Sequence, residues 1–264
     1  GLGPTGHYWS ALAAWMVSNG TSVVQVNPYA VKQGKEIEDN SPLKDGRKAP
    51  KLIANLVKDG SYGMPYLPEK VYADMRRLSM FREQLTEDRI RNINRLHRGL
   101  KIYFPEYMDA FGKIDGAFTL EILKVSAIPL DIAALGAEGI KNIWHDAKLR
   151  GRGYSRAGEI VGYAKKSVGL KDGAGVGREA VKWYAEQILK LDEQLAAVES
   201  ALHKECREIP YAGNILAING VGENILAGIL AEMGDVSRFD DVKEIQELGG
   251  MGLVACSCGK HKGQ

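Results

Sequence analysis

The sequence predicts a mostly α-helical protein with a partial α/β layer in its N-terminal part, and three observations carry that expectation. Two long stretches, Glu69 to about Ile102 and Arg178 to Glu205, repeat apolar residues at helical spacing. A single short run, Val23 to Val26, reads as a buried strand after a helix-like segment. A Gly-x-Gly bend at Gly220 and Gly222 opens a further helix near the C-terminal end.

In chain order, Tyr8, Leu12, Trp15 and Met16 predict a helix over residues 7–18, which Asn19-Gly20 stops before the strand. Asn27-Pro28 ends the strand, Val31 to Glu38 predicts a short helix, and Asn40-Ser41-Pro42 leads into an amphipathic helix near Lys51 to Lys58. Alternation of helix and strand marks an α/β layer, although the strand has no evident partner inside the chain.

The stretch from Glu69 places Val71, Met75, Leu78, Phe81, Leu85, Ile90, Ile93, Leu96 and Leu100 at apolar positions. Between residues 70 and 101 nine Lys and Arg stand against four acids, a local charge of +5. Such a helix can face phosphate, with a solvated charged surface as the plainer reading. Residues 103–175 predict small helices broken by Pro105, Pro129, Gly136 and Gly139, and the Gly-rich run 169–177 predicts a flexible hinge. Tyr184, Ile188, Leu191, Leu195, Val198 and Leu202 follow in steps of 4, 3, 4, 3 and 4, the repeat of a coiled coil. Its partner is either the basic helix of the same chain or a second copy, which would make a homo-oligomer.

Ile218-Asn219-Gly220-Val221-Gly222-Glu223 has the shape of a helix-hairpin-helix, whose glycines bring backbone N–H groups at a helix N-terminus close to a phosphate. A tight turn between packed helices would use the same glycines.

Other classes are set aside on composition and spacing. With 264 residues, 45% hydrophobic content and a net charge of +2, the chain can bury a core and is not disordered as a whole. Three cysteines make no disulfide framework, no leader opens the chain, and no apolar run reaches the roughly 20 residues of a membrane span. The expectation is a cytoplasmic protein without membrane contact, though neither end reads as a natural terminus. Gly1 to Gly6 matches GxGxxG but lacks the preceding strand and the later acid, so a nicotinamide or flavin cofactor is rejected. Cys256, Cys258 and His261 fall one ligand short of a structural zinc set, and no Gly-x-Ser-x-Gly elbow supports a hydrolase.

Five motifs, taken in order, carry a resemblance. They are Pro4-Thr5-Gly6-His7-Tyr8-Trp9; Val26-Asn27-Pro28 with Val31-Lys32; Asn40-Ser41-Pro42 with Lys44; Ile218 to Asp235 with Arg238-Phe239; and Cys258-Gly259-Lys260-His261-Lys262-Gly263. Together they resemble the DEDD-type insertion-sequence transposases, relatives of the pilin-gene-inverting recombinases that include enzymes guided by a bridge RNA. The resemblance implies a partial RuvC-like (RNase H-like) domain over 1–66 and a coiled-coil and small-helix region over 67–206. A C-terminal transposase domain with a helix-hairpin-helix and a nucleophilic serine would occupy 207–264.

It also implies DNA strand cleavage and transfer by transesterification, with carboxylates holding Mg²⁺ and the serine linking covalently to DNA. The implied partners are DNA and a guide RNA, and the implied location is the nucleoid.

At each testable position this chain departs from the pattern. The acid of the E-x-T-G motif is Gly3 here, and the two acids of K-x-D-x-x-D-A fall on Gly46 and Ala49, with Asp45 one place away as the sole metal candidate. The serine position holds Cys258, next to Ser257. The resemblance therefore implies a transposase with impaired catalysis, or a non-catalytic nucleic-acid-binding or oligomerisation protein derived from one. The binding apparatus expected to persist is Arg91, Arg95 and Arg98 on the basic helix, the hairpin Gly220 and Gly222, and Lys260 and Lys262.

Overall fold

A computed structural model describes residues 1–3, 8–39, 48–252, 257–258 and 261–262. The chain divides into two compact units, residues 1–73 and 74–264.

The first unit holds α1 (Tyr8–Ser18), α2 (Pro28–Asp39) and α3 (Lys48–Lys58). Asn19-Gly20 stops α1 as expected. Gly20 takes φ +76, and the Thr21 amide returns to the Met16 carbonyl at 2.9 Å, closing the last turn. Val23 and Val26 are buried, as a strand would require.

The expectation that this strand lacks partners is corrected. Gln25 bridges Leu2 in parallel and Gly63 in antiparallel fashion, through Leu2 N to Val24 O at 2.8 Å and a reciprocal Gln25–Gly63 pair at 2.8 Å each way. The pairing is limited to bridges, so three extended segments meet without forming a full strand. Because a parallel pair needs a crossover connection, α1 serves as the helix between Leu2 and Gln25.

α2 begins three residues earlier than the apolar spacing predicts. The Asn27 side chain accepts from the Tyr29 amide at 2.9 Å, an N-cap, and Pro28 suits the first helical position because its missing N–H would be unpaired there in any case. α3 likewise starts early, at Lys48, since Pro50 is tolerated in a first turn. Gly34 lets α2 approach α3, for a Cβ there would stand 2.6 Å from the Leu52 side chain.

The second unit is built on two 34-residue helices, α4 (Lys70–Tyr103, whose first turn belongs to the first unit) and α9 (Ala174–Arg207). Between them lie α5 (Tyr107–Phe111), α6 (Ala117–Val125), α7 (Pro129–Asp146), a 3₁₀ turn Arg152–Arg156 and α8 (Ala157–Lys166). These are the small helices expected over 103–175. After α9 come α10 (Ala212–Leu216), α11 (Glu223–Met233) and α12 (Val242–Leu248), and Ser257–Cys258 pairs antiparallel with His261–Lys262.

The core gathers the C-terminal half of α4, the small helices and the start of α9 around Leu96, Phe104, Tyr107, Leu123, Trp144 and Ile188. Two buried aromatic donors in it are satisfied: Trp144 Nε1 donates to the Phe118 carbonyl at 2.8 Å and the Tyr107 hydroxyl to the Thr119 carbonyl at 3.1 Å. Burial pushes the Tyr107 hydroxyl well above its usual range.

α4 and α9 run antiparallel side by side. Arg82 meets Glu199, Arg89 meets Asp192, and a Cβ on Gly99 would stand 3.0 Å from Val181. The apolar repeat of α9, with Ile188, Leu191, Val198 and Leu202 buried, therefore has a partner within the chain. On α4 the seam differs from the apolar positions read from sequence. Phe81 and Ile90 are 47% and 51% exposed, while Arg82, Arg89 and the buried Asn92 occupy heptad places between Met75, Leu85 and Leu96.

In the run 169–177, read from sequence as a hinge, two glycines mark close approach to the end of α4. A Cβ on Gly169 would overlap the Tyr103 carbonyl, and one on Gly177 would overlap the Tyr103 ring. Glu106 fastens the same connection, accepting from Ser167 Oγ at 2.6 Å and the Val168 amide at 2.9 Å.

Candidate nucleic-acid interface and acid positions

Apart from the exposed Arg77, the arginines of the basic helix sort into two sets. Arg82 donates to Glu199 at 2.8 Å, Arg89 binds Asp192 and also reaches Asp115 at 3.3 Å, and Arg76 lies 3.4 Å from Glu232 of α11. These three tie the helix to its neighbours. Arg91, Arg95 and Arg98, at i, i+4 and i+7, share the opposite stripe and are exposed. Arg91 is engaged locally, at 3.2 Å from Glu87 and 2.8 Å from Asp88. Arg95 and Arg98 have no ion pair among the described residues. The +5 read from sequence is thus not a uniform phosphate-facing charge; its outward part includes Arg95 and Arg98, with Lys70, Arg77 and Lys101 also exposed.

The Gly-x-Gly bend connects α10, a single turn, to α11. Gly220 takes φ +91 and Gly222 precedes α11 in extended conformation, and a Cβ on either would meet nothing within 4 Å. The bend is open to solvent. Its base is held by a clamp that sequence reading missed. Arg207 donates twice to one Glu223 oxygen, at 2.9 and 2.7 Å, His203 Nδ1 lies 3.1 Å from the other, and His203 Nε2 is 2.6 Å from Asn224 Oδ1. The Arg207 hydrogen bond holds the Glu223 carboxyl below the usual range. Burial pushes the neighbouring Cys206 thiol up, so it is no thiolate nucleophile. The signal available in the sequence was His203 and Arg207 four apart on α9, the latter sixteen residues before an acid that opens α11.

The positions matched to the family's acids lie in the first unit. Gly3 directly follows the Leu2 bridge, and a Cβ there would stand 3.3 Å from Ile53 Cδ1 of α3. The heavy atom nearest a Cβ at Gly3 is thus an Ile53 methyl, and Ala49 stands one turn before Ile53 on α3. Asp45, Gly46 and Lys260 lie outside the described residues. For Ser257, Cys258 and Lys262 the structure gives backbone pairing alone: Ser257 opposite Lys262, and Cys258 opposite His261.

Among the described residues no group of three or more His, Cys, Asp or Glu is placed to hold a metal ion. Hard divalent cations need oxygen donors, and among the described residues Gly3, Ala49 and Ile53 offer Mg²⁺ no side-chain oxygen. No helix among the described residues is long and apolar enough to cross a membrane.

Residues 1–105 match the DEDD family of IS110 elements, described as Transposase, and residues 212–264 match the Transposase IS116/IS110/IS902 family. A protein of Streptomyces clavuligerus, described as an insertion element IS116 uncharacterized 44.8 kDa protein, is 24% identical over 262 residues, or 98% of this chain. The chain spans 65% of that relative's own length. A divalent metal requirement is implied by the DEDD type.

Proposed function

We propose, from a chain that carries IS110/IS116-family transposase domains at both ends, that this protein is an insertion-element transposase that grips nucleic acid but does not carry out metal-dependent strand cleavage and transfer. The observation that carries this reading is the Ile53 methyl 3.3 Å from a Cβ at Gly3, aliphatic carbon beside a position where the resemblance expects an acid. The parallel Leu2–Gln25 bridge across α1 supports reading the first unit as the partial RuvC-like layer. The open bend before α11 supports the helix-hairpin-helix.

Binding then falls to the second unit. Arg95 and Arg98, with Arg91, supply charge to neutralise phosphates, and the backbone at Gly220 and Gly222 leaves room for a phosphate to approach. DNA is the primary partner, with a guide RNA as the second polynucleotide to test. Because α4 already fills the α9 seam, self-association through that seam is not part of the proposal. Cysteine at 258 offers a sulfur nucleophile in place of the serine oxygen, a poor match to phosphorus.

A strand-transfer assay with Mg²⁺ tests the reading. The chain as it stands is expected to give no transfer product while still shifting the labelled duplex. A version carrying Gly3→Glu, Gly46→Asp, Ala49→Asp and Cys258→Ser is the comparison, and recovered cleavage in it would support the site assignment. Transfer by the unaltered chain would overturn the proposal.

A further inference from the structure

The connection between α7 and α8 reads Lys148-Leu-Arg-Gly-Arg-Gly-Tyr-Ser-Arg156, with four basic residues and no acid. It is not a slack loop. Lys148 ends α7 in the left-handed conformation at φ +57, a position where glycine is usual, and its amide donates to the His145 carbonyl at 2.9 Å. That turn returns the Leu149 amide to the Trp144 carbonyl at 2.9 Å and packs Leu149 against the core. Five residues on, Tyr154 stacks edge-on against Trp144 at 5.7 Å and donates its hydroxyl to the Leu149 carbonyl at 3.2 Å. Arg156 then donates to the Ala110 carbonyl at 3.2 Å, capping the end of α5.

The anchors Leu149, Tyr154 and Arg156 leave Arg150 to Gly153 as a short Arg-Gly-Arg-Gly arch between them. Gly151, at φ +135, turns the backbone where a side chain would be strained. Lys148 and Arg150 are exposed and have no ion pair among the described residues. Arg156, in contrast, is occupied. A non-glycine residue held left-handed costs energy that a stabilising loop has no reason to retain, and here it is the residue that begins the basic arch. A backbone already held in its turn loses less conformational freedom on meeting an anion, which favours binding over a mobile tail of the same charge.

We infer that this arch is a second phosphodiester-contacting element, with Lys148 and Arg150 neutralising backbone phosphates of a polynucleotide separately from the α4 stripe. The inference rests on the nucleic-acid-binding reading above and adds a site to it. Duplex DNA and single-stranded RNA present the same phosphate chemistry, so both serve as probes.

The test measures binding of a labelled duplex and a labelled single-stranded RNA by the full chain over a series of KCl concentrations. Its variants are Lys148→Asn with Arg150→Gln, and separately Arg150→Gln alone, which leaves the left-handed turn untouched. Asparagine keeps the conformation at 148 accessible. Each lost phosphate contact flattens the plot of log K against log salt by about 0.9 on duplex and 0.7 on single strand, so the double variant is expected to lose about 1.4 to 1.8 in slope on the polynucleotide it contacts. The single Arg150→Gln variant is expected to lose about half of that. Parental slope and affinity on both probes, with the Arg91, Arg95 and Arg98 variant still weakened, would overturn the arch and leave the binding reading standing. No binding by the parent to either probe would overturn both.

Discussion

Arg82 gives both its Nε and Nη2 to a single Glu199 oxygen at 2.8 Å, and one heptad along α4 Arg89 does the same work toward Asp192, one heptad back on α9. The seven-residue step on both helices fixes their antiparallel register. Hydrophobic contact alone would tolerate a slip of one heptad; matched charges at two successive places would not.

Reversing one charge should therefore destabilise the pair, and reversing both should restore part of it. Because these side chains are partly exposed, replacing Arg82 by Ala is expected to cost about 0.5 to 1 kcal/mol. Arg89 also bonds Asp115, so its loss should cost more. A double-mutant cycle on Arg89→Asp and Asp192→Arg, read by chemical denaturation, checks this; additive losses with no coupling would show that the ion pair does not set the register.

Glycine replacements in the 169–177 run should separate sharply. Alanine at 169 or 177 must displace Tyr103 and is expected to cost about 1 to 3 kcal/mol, as overpacked sites do. Alanine at 175, where a Cβ meets nothing and the residue is helical, is expected to stabilise by about 0.5 to 1 kcal/mol. Thermal melts of the three variants make the comparison, and equal behaviour of all three would refute the close approach.

Acid should loosen the connection between α8 and α9 through Glu106. Burial raises this carboxyl, but the Ser167 hydroxyl and the Val168 amide outweigh it, and the net pKa lies below the usual carboxylate value. A depressed folded pKa contributes stability that is present above the unfolded value and lost as pH falls through the folded one. The parent should lose stability over that acidic range relative to Glu106→Gln, whose neutral amide cannot titrate. Parallel pH–stability curves for the two proteins would contradict it.

On the α4 stripe, replacing Arg95 and Arg98 should flatten the salt dependence of polynucleotide binding more than replacing Arg91 with either one alone. The difference arises because Arg91 already contacts Glu87 and Asp88. Equal effects of all three arginines would mean that those local pairs open on binding.

Much of the helical framework was legible because apolar spacing on α9 is unbroken: each of Ile188, Leu191, Val198 and Leu202 is buried as its heptad place requires. The seam of α4 was not, since Arg82, Arg89 and Asn92 hold heptad places and draw the eye to the exposed Phe81 and Ile90 instead. Long-range ion pairs leave no local pattern. The same reason hid the Leu2–Gln25–Gly63 bridges, which join residues far apart through backbone groups that every residue carries. At the candidate site, Gly220 and Gly222 were readable from their spacing, whereas the clamp on Glu223 depends on how α9 ends against α11 and could only be seen once they were folded together.

The most direct test of the central claim is duplex binding by the unaltered chain across KCl concentrations, run in parallel with Mg²⁺ and with a chelator, with the DNA recovered and sized afterward. The account predicts salt-dependent binding of the same affinity in the chelator as in Mg²⁺ at matched ionic strength, and intact DNA in both. Cleaved DNA that appears only with Mg²⁺, or no binding even at low salt, would contradict it.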